Sequence, residues 1–225
     1  MYKIQNNVTI TGNATLAGNI TTDNNDGDVS ITGTVALTQN ATIDTSAGDG
    51  DITLGSTVDG AKTLTLSSGA GAITVTGDIG AGTALTALTI NAASASDTSS
   101  GTIKISNIGG ASAGITGATN IGNLNTPNDG FEMDGSTYNT DGSQTYTAAI
   151  NGIFLDGTGT TTFTTSGDDF TVTGSRFDLS KDGEPSAVIN TAGGNVSLAQ
   201  GVRGHSNNDI TCLLYTSDAA DDYRS

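Results

Sequence analysis

Val8-Thr9-Ile10-Thr11-Gly12 recurs as Val29-Ser30-Ile31-Thr32-Gly33, as Ile52-Thr53-Leu54-Gly55 and as Ile73-Thr74-Val75-Thr76-Gly77, at nearly even spacing along the chain. Within each block apolar and small polar residues alternate, which sends successive side chains to opposite faces of a strand. The closing Gly stands where the chain must turn. A second strand position follows shortly after each block start, at Val35, Val58 and Ile79, and a third follows at Ala41-Thr42-Ile43, Leu64-Thr65-Leu66 and Leu88-Thr89-Ile90. The turns before the blocks match as well: Asn25-Asp26-Gly27-Asp28, Gly48-Asp49-Gly50-Asp51 and Gly69-Ala70-Gly71-Ala72.

A repeat this short, holding several short strands, cannot make a sandwich domain of ~100 residues. It suits one coil of a solenoid. The expected fold is all-β: a β-solenoid with coils of about 21–23 residues, stacked at the ~4.8 Å spacing of paired strands. Inward Val, Ile and Leu form the core, and outward Thr, Ser and Asn form polar ladders. About nine coils would span roughly 40–45 Å.

Composition agrees. Among 225 residues Thr (39) and Gly (32) dominate, and only two of the 23 acids are Glu (Glu132 and Glu184), so helix-favouring residues are scarce. The net charge of −16 argues against nucleic-acid partners and against docking on anionic membranes. No apolar run reaches the ~18 residues of a membrane helix.

The chain divides into regular repeats over 1–124, an insertion or loop over 125–145 carrying Pro127 and several Asp-Gly and Asn-Asp turns, and returning repeats over 146–211. In the middle, Ile103, Ile105, Ile108, Ile115, Ile121 and Leu124 are the core candidates. Phe170-Thr171-Val172-Thr173-Gly174 restores the block pattern behind the turn Ser166-Gly167-Asp168-Asp169, and Val196-Ser197-Leu198 continues it. Residues 212–225 differ in kind. Cys212 to Asp222 resembles the translation of a transposase mosaic-end adapter used in preparing sequencing libraries, so this tail is expected to be foreign to the protein. Without it the chain has no Cys and a net charge of −14, since three acids and one base leave. Such a chain has no Cys nucleophile, no Cys-ligated zinc site and no disulfide. The opening residues hold no apolar core of signal-peptide length, and both ends read as cuts in a longer repeat region.

The phrases Ser56-Thr57-Val58-Asp59-Gly60-Ala61-Lys62-Thr63-Leu64-Thr65-Leu66 and Ala72-Ile73-Thr74-Val75-Thr76-Gly77-Asp78-Ile79-Gly80 resemble the large repetitive bacterial surface proteins of the filamentous-haemagglutinin-like, β-strand-repeat type. The resemblance implies a right-handed parallel β-helix (β-solenoid) and a structural stalk or adhesive repeat region of a large secreted or surface-anchored bacterial protein, extracellular or on the cell surface. It implies no enzyme, no membrane insertion, and host-surface or matrix glycans or proteins as partners. The alternative is a carbohydrate-active β-helix enzyme, a polysaccharide lyase or hydrolase.

Four carboxylates are the candidate metal ligands: Asp26 and Asp28 align with Asp49 and Asp51 of the next coil. Their hard oxygens suit Ca²⁺ if equivalent positions stack. The ladder stops at the third coil, where Ala70 and Ala72 stand, and the plainer reading is that Asp and Gly suit turns. Asp168 and Asp169 form a second acidic turn. His205, the single His, lies in a polar loop without a metal-binding partner or a nucleophile motif. Enzymatic chemistry would need carboxylates converging with a base. Lys62, Lys104, Arg176, Lys181 and Arg203 read as scattered along the chain. Phe131, Tyr138 and Tyr146 could form a small sugar platform beside Asp129 and Asp134, although a loop packing its aromatics on the solenoid is the plainer reading.

Overall fold

The computed structural model describes residues 6–22, 27–92, 102–123, 131–148, 152–156, 159–179, 185–204 and 210–213. Among these there are strands and no helix. The first three coils carry three strands each: β1 (Val8–Ile10), β2 (Ala14–Leu16) and β3 (Ile20–Thr21); β4 (Val29–Ile31), β5 (Val35–Leu37) and β6 (Ala41–Asp44); β7 (Ile52–Leu54), β8 (Val58–Asp59) and β9 (Thr63–Gly69). Two coils of two strands follow, β10 (Ile73–Val75) with β11 (Ala87–Ala92) and β12 (Ile103–Ile105) with β13 (Thr119–Asn123). Three-strand coils then return as β14 (Phe131–Met133), β15 (Thr137–Asn139) and β16 (Gln144–Ala148), then β17 (Ile153–Leu155), β18 (Thr160–Thr164) and β19 (Phe170–Gly174). The last strands are β20 (Phe177–Asp178), β21 (Ser186–Asn190), β22 (Val196–Leu198), β23 (Val202–Arg203) and β24 (Ile210–Leu213).

All the pairings are parallel and run from one coil to the next, so the chain is a parallel β-solenoid with three faces. The first face is a nine-stranded sheet, β1-β4-β7-β10-β12-β14-β17-β20-β23. The third face is an eight-stranded sheet from β3 to β22. The second face is split into β2-β5-β8 and β15-β18-β21-β24. Single bridges Val58–Ile79, Ile79–Ile108 and Ile108–Tyr138 carry it across the gap.

The repeated blocks meet as their spacing predicts. Val8 pairs with Val29, Val29 with Ile52 and Ile52 with Ile73. Inward Val29, Ile31, Ile52, Leu54, Ile43 and Leu66 are fully buried, and so are the middle candidates Ile103, Ile105, Ile108, Ile115 and Ile121. Leu124 lies outside the described residues. Each such side chain contributes about 1.5–3 kcal/mol when removed from water. The coils then lengthen beyond the period of the first three: Ile73 pairs with Ile103, and Ile103 with Phe131. The described strands of these longer coils keep their apolar positions inward, since an insertion within a strand would turn its apolar set outward.

The stretch expected as an insertion or loop needs correction over 131–145. These residues form β14, β15 and the start of β16, in register with the coils on both sides. The turn signals there are real, but they mark corners within a coil. Phe131, Met133, Tyr138 and Tyr146 point inward and are buried, so they form no sugar platform. Phe163 is their centre: its ring lies 5.1 Å from Tyr138, 6.0 Å from Tyr146, 5.0 Å from Phe170 and 5.6 Å from Phe177. A polar network threads this aromatic core. Buried Gln144 donates to the Tyr138 carbonyl (2.9 Å), the Thr164 carbonyl (2.8 Å) and Thr140 Oγ1 (3.1 Å), and accepts from the Tyr146 hydroxyl (2.9 Å). Burial pushes both phenols well above their usual pKa, so they remain protonated donors.

Two kinds of contact close the corners. Buried Thr45, Ser68, Thr140, Thr165 and Thr191 donate their hydroxyls to the carbonyls of Gly50, Gly71, Gly142, Asp168 and Gly194 in their own turns. The glycines that close the blocks answer a second need, close approach. A Cβ on Gly33 would fall 2.3 Å from the Gly12 carbonyl carbon, and one on Gly77 would fall 2.2 Å from that of Ser56.

Phe163→Ala should lower the unfolding free energy by about 3–5 kcal/mol, the range for truncating a fully enclosed aromatic. Thr89→Ala, on the solvent side of β11, should stay within about 0.5 kcal/mol. Urea denaturation followed by circular dichroism measures both.

Candidate functional site

The acidic turns are built by the same rule as the other corners. In the second coil, Asp28 Oδ1 accepts the backbone N–H of Asp51 at 2.9 Å; in the third, Asp51 Oδ1 accepts that of Ala72 at 2.7 Å and Asp49 Oδ1 that of Ala70 at 2.8 Å. Asn13, Asn19 and Asn40 do the same for Thr34, Thr42 and Thr63, and Asp59 for Gly82 and Thr83. In the later coils Asn107 serves Ser136 and Thr137, and Asp169 serves Asn195. At a corner the strand ladder lapses, and a short Asp or Asn side chain supplies the acceptor that a strand carbonyl would otherwise give. Asp49 adopts φ +58°, a left-handed conformation that Asp tolerates better than most residues. Asp26 and His205 lie outside the described residues.

A different set of charges converges. On the first face the outward column reads Thr9, Ser30, Thr53, Thr74, Lys104, Glu132, Phe154, Asp178, Arg203. Its first four rungs are hydroxyls, and from β12 onward all are charged except Phe154. Lys104 stands between inward Ile103 and Ile105, so its side chain leaves the core side altogether. Its ammonium lies 2.9 Å from Asp134, 3.4 Å from Glu132 and 3.8 Å from Asp156. The three carboxylates bring ligand oxygens within 4.8 Å of one another, a grouping of three that, among the described residues, Asp28, Asp49 and Asp51 do not form. The hydrogen bond to Asp134, with the charges of Asp134 and Glu132, outweighs desolvation and raises the Lys104 pKa. Lys104 is therefore a fixed cation and not a base at neutral pH.

Further along the same face, the buried carboxylate of Asp178 is held by Arg176 Nε at 3.2 Å and faces Arg203 Nη1 at 3.7 Å. The reading of the basic residues as scattered is thus corrected for Lys104, Arg176 and Arg203, which share one face. Lys62 stands at a corner away from them, and Lys181 and Asp129 lie outside the described residues. Asp134, expected beside an aromatic platform, belongs instead to the Lys104 group. Lys104 and Asp156 are far apart in sequence, and only the lengths of the intervening corners bring them together. The one local signal was a charged residue at the outward position of Ile103-Lys104-Ile105 and again of Phe131-Glu132-Met133.

Asp49→Asn with Asp51→Asn keeps both acceptors and should melt with the wild type. The Ala pair should lose about 1–2 kcal/mol for two unmet amides. Calorimetry with and without Ca²⁺ separates corner capping from ion binding, because a calcium ladder would give the wild type a calcium-dependent gain that the Asn pair lacks.

Lys104→Met should cost no more than about 1 kcal/mol at low salt, since all four side chains are partly exposed, and the loss should shrink as salt is added. A raised folded-state pKa makes the Lys104 contribution complete below its unfolded value of about 10.4 and removes it as pH rises through the folded value. Wild type and variant should therefore converge at strongly alkaline pH, read from urea midpoints.

No protein-family model, no curated protein and no solved structure matches this chain.

Proposed function

We propose that this chain is a structural stalk or adhesive repeat region of a large secreted or surface-anchored bacterial protein, and that it acts without catalysis. The observation that carries the reading is on the third face. Its outward column runs Thr42, Thr65, Thr89, Asn120, Thr145, Thr171, Ser197, in register from coil to coil and without a charge. In a chain of net charge −16, this is a long neutral column of hydroxyls and one amide at the ~4.8 Å strand spacing. A stacked apolar core behind it resists bending, which suits a rod that holds such a surface away from a cell. The partners are host-surface or matrix glycans or proteins, met by many weak hydrogen bonds along the column.

The rival reading, a carbohydrate-active β-helix enzyme, draws on one observation: Lys104 among Glu132, Asp134 and Asp156 on an outward sheet face. A fixed ammonium beside carboxylates can stabilise developing negative charge.

Immobilised chain should retain glycan- or matrix-coated beads under flow. Thr89→Lys with Thr145→Lys should reduce retention severalfold at unchanged melting temperature, while Lys104→Ala leaves it intact. Retention no better than that of an unrelated acidic protein would sink the adhesive reading. Turnover of an acidic polysaccharide that Lys104→Ala abolishes would install the enzyme in its place.

A further inference from the structure

The third face carries two outward columns side by side. The first is the run from Thr42 to Ser197. The second, two residues further along each strand, holds Asp44, Ser67, Asn91, Gly122, Thr147 and Thr173. Neighbouring rungs stand ~4.8 Å apart and the columns about 6.7 Å apart, so the rungs from β6 to β22 make a grid roughly 29 Å long. The buried corner hydroxyls of Thr45, Thr140, Thr165 and Thr191 are all committed to turn carbonyls. The grid differs. Among the described residues, no hydrogen bond within the chain holds the hydroxyls of the column threonines from Thr42 to Thr171, nor those of Thr147 and Thr173.

The chemistry of the grid narrows its partner. Its two columns hold one formal charge, Asp44, whose carboxylate accepts the Ser46 hydroxyl at 2.6 Å and the Ser46 N–H at 3.1 Å. Asp169, bordering the grid two residues before Thr171, accepts from the backbone and side-chain amides of Asn195. Lys62, at the corner before β9, is the cation nearest in sequence. In a chain of net charge −16, a sulfated, sialylated or uronate glycan meets more repulsion than attraction here. Protein interfaces are anchored by aromatic, Arg and Met side chains in a dehydrated core. Among the described residues the grid presents none of these, since Tyr146 and Phe170 of the same strands turn inward and are buried. Each contact is then one exposed hydroxyl exchanging a hydrogen bond with water for another, which is weak alone. Strength comes from repetition, and that requires a partner repeating uncharged hydroxyls along its own length.

We propose that the ligand of the third face is an uncharged polysaccharide, its extended chain lying along the rod across successive rungs. Sugar hydroxyls both donate and accept, as those of Thr and Ser do, so a rung is met without a fixed order of donors and acceptors. No aromatic platform takes part, so the contact tolerates different sugars and favours long chains over short ones. The inference rests on the adhesive reading of the third face and narrows its partner to one class.

The test is depletion of the full chain from solution by insoluble cellulose and mannan, both uncharged, against beads of heparin, a sulfated glycan, and of gelatin, a matrix protein. Cellulose or mannan should retain the wild type severalfold better than heparin or gelatin. Retention should be equal at low and high salt, because no charge pair is there to be screened. Soluble oligosaccharides of the retaining polymer should compete at least tenfold better as hexamers than as dimers. Thr89→Val with Thr145→Val removes hydroxyls from the column but keeps the β-branched shape, and should lower retention severalfold at an unchanged melting temperature. Thr53→Val, in the outward column of the first face, should leave retention intact. Retention on heparin or gelatin but on neither neutral polymer would overturn this inference and leave the adhesive reading standing, whereas retention on none of the four would overturn both. A valine pair retained like the wild type, or hexamers no better than dimers, would also overturn the proposal.

Discussion

Every feature of this molecule depends on strands pairing in register with the coil before and the coil after. That pairing fixes the rise per coil at about 4.8 Å, and it forces equivalent residues to lie on top of one another. A side chain is therefore judged by its neighbours above and below. Val29 sits between Val8 and Ile52, and Thr65 between Thr42 and Thr89. On the first face apolar stacks on apolar inside along the whole ladder; outside, hydroxyl stacks on hydroxyl in the first coils, and the column changes to charges from β12 onward. Thr fits the outward columns because it is β-branched and its hydroxyl can meet the one on the next rung.

The corners are where such a stack could come apart, since backbone amides there leave the ladder. Three devices meet the problem, and all use small residues. Asp or Asn side chains accept amides from the next coil, as Asp51 does for Ala72. Buried Thr or Ser hydroxyls close the turn from within, as Thr191 does on Gly194. Glycines let corner backbones pass closer than a Cβ permits, as Gly33 does over Gly12. The composition follows from these needs: Gly, Asn and Asp are abundant because corners recur in every coil, and Glu is rare because its longer side chain overshoots the neighbouring amide.

Legibility in the sequence tracked this division between strand and corner. From Val8 to Ile90 the block strands and the third-face strands from Ala41 on were readable, because the Val-x-Ile blocks repeat at nearly even spacing, whereas β2 and β3 went unread and the strand expected at Ile79 is a single bridge. After Ile90 the spacing of the blocks departs from the earlier period, and the register of the following coils could no longer be counted from spacing alone. Phe131 to Thr145 read as part of a loop for a related reason. Large aromatics replace Val and Ile, so the block no longer looks like its predecessors, yet alternation still turns Phe131, Met133 and Tyr138 inward. The Lys104 group was illegible because its members come from three coils joined by corners of unknown length. The acidic turns were visible as a ladder, but the amides that occupy Asp28, Asp49 and Asp51 belong to the backbone of the next coil, which composition does not reveal.

The aromatic half also shows how a repeat can change its filling without changing its path. Aromatic rings and Gln144 occupy space that aliphatic side chains fill in the first coils, and the first face continues without a break from β10 through β12 to β14. A buried amide is costly unless its polar atoms are met, and Gln144 meets Tyr138, Thr140, Tyr146 and Thr164 at once. Tyr138, Thr140 and Tyr146 belong to the coil of Gln144 itself, and Thr164 to the next, so three bonds fix the amide in its own coil and the fourth ties that coil to its neighbour. Apolar columns of Val and Ile exclude a slip of one residue, which would turn them outward, but discriminate weakly against a slip of two, because one branched side chain packs much like another. The Gln144–Thr164 bond and the Lys104 group, which cross between coils, add that discrimination in the half of the solenoid where coil length is least constant.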